Sequence, residues 1–251
     1  MITRKELSQV LDDLYKPNLF SDYCPNGLQV EGSADIYKIG VAVTATYETI
    51  QKAILNQCQA LIVHHGLFWT RDPYPILGTK KEKLSLLLKN EISLFSYHLP
   101  MDAQSEIGNN WKAAKDLGLT DLNPFGIIEK IAVGVRGNVA TQGRKDFQKR
   151  LEEYYGHAAQ VAFGGDEFID SVAIVSGGAY KLLQEAAQSS ISAFVTGSYD
   201  LPAWSQAYEE EVNFFALGHH ATERIGPLSL TDRLQNLHGI PSFFIEENNP
   251  F

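Results

Sequence analysis

The chain has 251 residues, a net charge of −9 and 44% hydrophobic side chains, enough apolar mass for one large domain or two closely packed lobes. Its acidic balance, with no long Lys/Arg run, argues against nucleic acid as a partner. Two cysteines, Cys24 and Cys58, have neither zinc-knuckle nor redox spacing, which points to a reduced, cytoplasmic protein.

The opening "MITRKELSQVLDDLY" reads as an amphipathic helix with Thr3 as its N-cap. It lacks the apolar run of a signal peptide or membrane anchor, so no membrane association is expected. "CPNGLQVEG" follows as a loop with a turn at Asn26 and Gly27. Gln29 and Glu31 either shape that turn or face a substrate or a metal-bound water. "VAVTATYETIQKAILNQCQALIVHHG" (Val41 to Gly66) then reads as strand, small-residue turn, amphipathic helix and second strand. "EISLFSYHL" (Glu91 to Leu99) is a third strand, and "WKAAKDLGL" a further helix. Residues 127–165 hold a strand ("KIAVGVRG"), a helix ("RKDFQKRLEEYYG") and another strand ("AAQVAF").

The second half echoes the first. "VAIVSGGAYKLLQEAAQSSISAFVTGS" (Val172 to Ser198) lies over Val41 to Gly66, "EVNFFALGH" (Glu211 to His219) over "EISLFSYHL", and "TDRLQNLHGI" over "WKAAKDLGL". Strands alternating with helices predict an α/β fold with mostly parallel mixed sheets flanked by helices. The echo predicts two similar α/β lobes related by a pseudo-repeat, residues 1–126 and 127–251, acting as one unit. The glycine-rich "VSGGA" turn either cradles a phosphate at a helix N-terminus or is simply close-packed.

The chain has seven histidines, and most fall at the carboxyl ends of these strands, where ligands gather in open α/β sheets. His64 and His65 end the second strand, His98 the third, and His219 and His220 the third strand of the second half. His157 and His238 lie elsewhere and read as structural or solvent-facing. Asp102 follows His98 by four residues. Glu223 follows His219 by four, a spacing that stacks both side chains on one helical face. Such a mixed nitrogen and oxygen set suits Zn, Fe, Mn, Ni or Co, and a carboxylate can bridge two ions. Each feature alone has an ordinary explanation: a hydrogen-bonded strand-end histidine, or a surface ion pair. Their recurrence at equivalent strand ends favours a metal site. Adjacent residues of a regular strand point to opposite sides, so His64 and His65 reach one site only if the strand breaks, and Gly66 permits that break.

"IVHHGLFW", "HLPMDA" and "LGHHATERIG", with "CPNGLQVEG" and the closing "NNP", resemble the Nif-three-like family, many members of which are named GTP cyclohydrolase 1 type 2 homologs. These motifs span residues 23 to 250. The resemblance implies two α/β lobes with a dinuclear site for divalent cations in the cleft between them, in the compact form without an inserted central domain. It also implies a toroidal homohexamer. By motif, His64 and His65 bind one ion each, Asp102 joins His65, His219 joins His64, and Glu223 bridges the pair. His98 is a proton-transfer or supporting residue, or a merely hydrogen-bonded strand-end histidine. His220 stands where many members have another residue and is left outside the ligand set. "HLPMD" departs from the family's commoner wording yet keeps His98 and Asp102. The function implied is metal-dependent hydrolysis of a nucleotide-like or purine substrate, with His98 and Glu223 as catalytic groups. Phe68 and Trp69 would stack on the base, or else belong to the core or a subunit interface. The alternatives are a non-enzymatic metal-binding scaffold or regulatory protein, and a phosphoesterase or amidohydrolase-type activity on another substrate.

Overall fold

The computed structural model describes residues 1–251 apart from the side chains of Leu237 and His238, so the expectation for His238 lies outside the described residues. The chain is a mixed α/β protein that divides into two compact units, each with a sheet containing parallel and antiparallel strands.

The first unit begins with a two-residue strand, β1 (Ile2–Thr3), that runs into α1 (Arg4–Tyr15). The N-cap is Thr3, as its residue type predicts. Thr3 and Glu6 form a capping box, each side chain accepting from the other's backbone N–H, which satisfies donors that a helix start otherwise leaves unpaired. The buried residues Leu7, Leu11 and Tyr15 recur at helical spacing. β2 (Gly27–Val30) and β3 (Asp35–Ile36) follow, β3 pairing antiparallel with β1. β4 (Ile39–Thr44), α2 (Tyr47–Leu55), β5 (Ala60–His65), α3 (Gly78–Lys89), β6 (Ser93–Ser96) and α4 (Leu99–Ala103) complete this stretch. β4, β5 and β6 are parallel neighbours. β4 and β5 are nearly continuous apolar runs because the side chains of both faces are buried.

The second unit starts with α5 (Asn109–Asp116), then β7 (Thr120–Ile128) and β8 (Ile131–Gly143). These two strands form a hairpin with Ile128 paired to Ile131. Its turn residues, Glu129 and Lys130, both have positive φ, at 46° and 73°. That geometry normally selects Asn or Gly, so the sequence carries no turn signal and β7 goes unpredicted. α6 (Arg144–Tyr155), β9 (Gln160–Phe163), β10 (Phe168–Val175), α7 (Leu183–Gln188), β11 (Ala193–Thr196), α8 (Pro202–Glu209), β12 (Asn213–Ala216) and α9 (His219–Thr222) follow. The strand order is β7-β8-β10-β11-β12-β9, with β10, β11 and β12 parallel.

The chain then returns: α10 (Ile225–His238) leads to β13 (Ser242–Phe244), which pairs parallel with β4 and completes the order β13-β4-β5-β6-β2. Thus the second helix after each half's third strand, α5 or α10, belongs to the other unit. Ala113, Ala114 and Leu117 of α5 and its end are buried in the second core, while residues 226–248 belong to the first unit. The compact units change over at 104/105 and 225/226, with residues 249–251 in the second, whereas the sequence reading divides the expected repeat at 126/127. Among the described residues, no helix is long and apolar enough to cross a membrane.

Phe147 of α6 is fully buried and meets Phe215 edge to face, with ring centroids 5.6 Å apart. Phe147→Ala leaves a cavity and lowers stability by about 3–5 kcal/mol in urea unfolding; a loss below about 1 kcal/mol contradicts this packing.

Candidate metal centre

β5 ends at His65, and Thr44 of β4 lies opposite it in the ladder. Thr44 Oγ1 stands 3.2 Å from His65 Nδ1. The preceding imidazole, His64, is fully buried, with Nδ1 3.2 Å from the Tyr97 carbonyl oxygen. A carbonyl only accepts, so Nδ1 carries a proton, and in the neutral imidazole Nε2 presents a lone pair. His64 Nε2 lies 3.7 Å from Asp102 Oδ2. A bare nitrogen lone pair and a carboxylate repel each other unless a proton or a cation stands between them. Donors of one zinc-like ion, each about 2.1 Å from it, lie no more than about 4.2 Å apart, so this spacing fits. An imidazole whose other nitrogen donates to a backbone carbonyl is also the usual orientation of a metal-binding histidine. The His64 and His65 ring centroids are 4.5 Å apart.

Gly66 is explained by close approach: a Cβ there would lie 2.3 Å from Gln29 Oε1. Gln29 accepts from the Leu67 N–H at 2.9 Å and donates to the Pro25 carbonyl at 2.9 Å. It therefore braces the turn behind the two histidines. Glu31 pairs with Arg4 at 2.5 Å, so the structure gives both residues structural partners.

His98 occupies the position just before α4. Its ring centroid is 4.9 Å from that of His64 and 5.6 Å from that of His65. One ligand atom from each of the three imidazoles lies within 4.8 Å of the other two. What holds His98 there is Asp22, which sequence reasoning passed over. Asp22 Oδ1 accepts from His98 Nδ1 at 2.9 Å and from the Cys24 N–H at 3.1 Å. Its Oδ2 accepts from the Leu99 N–H at 2.9 Å and from Asn26 Nδ2 at 3.0 Å. Asn26 Oδ1 accepts the His98 N–H at 2.7 Å, so this turn residue clamps the same segment. Burial pushes the Asp22 carboxyl up, but hydrogen bonds from His98, Asn26 and the Cys24 amide outweigh it and hold Asp22 below the usual carboxylate range. Asp102 sits buried in the first turn of α4.

In the second unit, α9 begins with His219, and the i, i+4 spacing acts as read. His219 Nε2 lies 3.1 Å from the buried Glu223 Oε1. The "VSGGA" turn is close-packed against this pair: Gly177, at φ +66°, would place a Cβ 2.2 Å from Glu223 Oε1. Thr222 Oγ1 accepts the Gly177 N–H at 3.0 Å. Asn110, another residue without a sequence signal, accepts from the Ser176 N–H at 2.7 Å and donates to the Val133 carbonyl at 2.9 Å. His157 donates to the Pro250 carbonyl at 3.0 Å and packs against Gly218, a structural role as expected. His220 is buried, and its backbone N–H donates to the Phe251 carbonyl at 2.7 Å. Of the two aromatics after Gly66, Phe68 packs on the first core with the Lys80 ammonium 4.6 Å above its ring. Trp69 instead lies 5.9 Å from the His65 ring and 5.3 Å from the His98 ring.

The sequence matches the model of the Duf34/NIF3 (NGG1p interacting factor 3) family over residues 2–250. It is 47% identical, across 98% of both chains, to a Chlamydia muridarum protein named GTP cyclohydrolase 1 type 2 homolog. The Chlamydia pneumoniae protein of the same name is 44% identical over the same share. The fold superposes on the crystal structure of TTHA1606 from Thermus thermophilus with a TM-score of 0.92, 34% identity and full coverage of both chains.

The depressed pKa of Asp22 sets the sign of a pH test. Its stabilisation is complete above the unfolded Asp value of about 3.9 and is lost as pH falls through the lower folded value. The stability gap between wild type and Asp22→Asn is therefore widest near neutrality and shrinks towards about pH 3 in urea midpoints. A gap that does not change with pH contradicts an ionised Asp22 holding His98.

Proposed function

The chain belongs to the Duf34/NIF3 family, and from that premise we propose that it binds a pair of divalent cations and hydrolyses a nucleotide-like or purine substrate. The observation that carries the reading is the convergence of His64, His65 and His98 within 4.8 Å, with Asp102 3.7 Å from His64. The residues that would hold the ions are those the resemblance implies, His64, His65, Asp102, His219 and Glu223. Asp102 is assigned to the ion of His64, the imidazole beside its carboxylate, rather than to that of His65 as the resemblance implies. The ions are of the borderline class, Zn, Fe, Mn, Ni or Co.

When bound, such cations supply water acidified towards neutrality and Lewis-acid polarisation of a C=N, carbonyl or phosphoryl centre. The chain's own residues supply the rest. Tyr97 and Thr44 orient His64 and His65 through their Nδ1 atoms. His98 has its Nδ1–H committed to Asp22, so Nε2 is the nitrogen left to give or take the proton of the leaving group. Asp22 is a positioning residue for that transfer. The purine class is supported by the name that the Chlamydia relatives carry. The halves 1–126 and 127–251 are read as two copies of one α/β repeat, and assembly as a toroidal homohexamer goes with the family reading.

The test is metal analysis of protein purified without added metal. A pair of divalent ions per chain is expected, falling sharply in Glu223→Ala. Combining His64→Ala with His219→Ala abolishes hydrolysis of purine nucleotides while circular dichroism still reports a folded chain. Protein that holds no metal and melts identically with and without chelator overturns the reading.

A further inference from the structure

Beside the imidazole trio lies a cavity of about 330 Å³ lined by Tyr23, Trp69, Thr70 and Arg71, at the small end of the roughly 300–1,000 Å³ range of small-molecule sites. Two of its walls are aromatic. Tyr23 and Trp69 lie nearly parallel, 29° apart with centroids at 6.1 Å, too close to admit a ring between them but offering flat faces to one alongside. Both also touch the trio: Tyr23 is 5.0 Å from the His98 ring, and Trp69 is 5.3 Å from His98 and 5.9 Å from His65. The Thr70 N–H donates to the Tyr23 carbonyl at 2.9 Å, which ties together the two loops that carry the walls.

The remaining wall is cationic. Arg71 is exposed. Its nearest acidic neighbour in sequence, Asp72, pairs instead with Lys80 at 2.9 Å. A guanidinium presents a planar fork of donors that matches a phosphate, and on a chain of net charge −9 an anionic ligand needs such a local cation. Aromatic faces stack on any nucleobase, and both of these rings touch the trio.

The geometry points to this cavity as a nucleotide subsite, in which Trp69 and Tyr23 hold the base by stacking and Arg71 holds a phosphate. The assignment deepens the hydrolase reading and rests on it for the reaction, but not for binding. Calorimetric titration of the full chain, as purified and after chelation, with GMP, guanosine and inorganic phosphate tests it. GMP binds best of the three. Trp69→Leu weakens GMP by about tenfold or more. Arg71→Ala weakens GMP but leaves guanosine unchanged. In both variants circular dichroism and metal content match the wild type, so the loss is local. The assignment is overturned if GMP does not bind, or if neither variant weakens it. Guanosine binding as tightly as GMP overturns the role of Arg71, and phosphate binding as tightly as GMP overturns the stacking. A chain without metal that still binds GMP with these sensitivities upholds the subsite while the two-metal reading fails. A metal-loaded chain indifferent to both substitutions does the reverse.

Discussion

His64 is a fully buried imidazole whose Nδ1 proton is committed to a backbone carbonyl and whose Nε2 faces a carboxylate. Burying those two groups together is costly unless something positive joins them, and the surrounding sheet holds them so. The Tyr97 N–H donates to the Val63 carbonyl at 3.0 Å, and Ser96 Oγ donates to the His64 carbonyl at 3.1 Å. The parallel pair of β5 and β6 thereby fixes both the imidazole and the carbonyl that selects its tautomer. A strand end of this kind can afford neither slippage nor a water-filled gap, which is why the flanking runs are branched and apolar.

Around that fixed point sits a layer of residues whose job is geometric. Gln29 fills the space that Gly66 leaves, Asp22 and Asn26 clamp the backbone and ring of His98, and Thr44 meets His65. The second unit repeats the device with other residues, as Gly177, Thr222 and Asn110 pack the turn against Glu223. Each cluster is thus held by backbone and side-chain hydrogen bonds from elements distant in sequence, and such orienting partners set ligand geometry as much as the ligands themselves do.

The chain passes between its two units more than once. α5 contributes to the second core although it follows the first half's sheet, and α10 with β13 returns to the first. The first sheet is complete only after the chain has passed through the second unit, since its edge strand β13 comes from near the end of the sequence. This makes long-range pairing a condition for forming the first sheet, and such closure is slow and cooperative.

By itself the sequence determined many of the elements and the chemistry available to them. Period and capping signals located α1, the parallel strands, the histidines at their carboxyl ends and the His219–Glu223 pair, because those signals act over a few residues. It could not determine which distant groups meet. Asp22 and His98 are 76 positions apart, and nothing local to "SDYCPN" names an imidazole as its partner. Nor does an amphipathic pattern say which core receives α5 or α10, since it fixes only that one face must be covered. The β7–β8 turn was hidden for a different reason: Glu129 and Lys130 adopt positive φ without the residues that usually advertise it. Those choices were settled by tertiary structure, where shape complementarity and the need to satisfy every buried polar group select one arrangement among the many that local pattern allows.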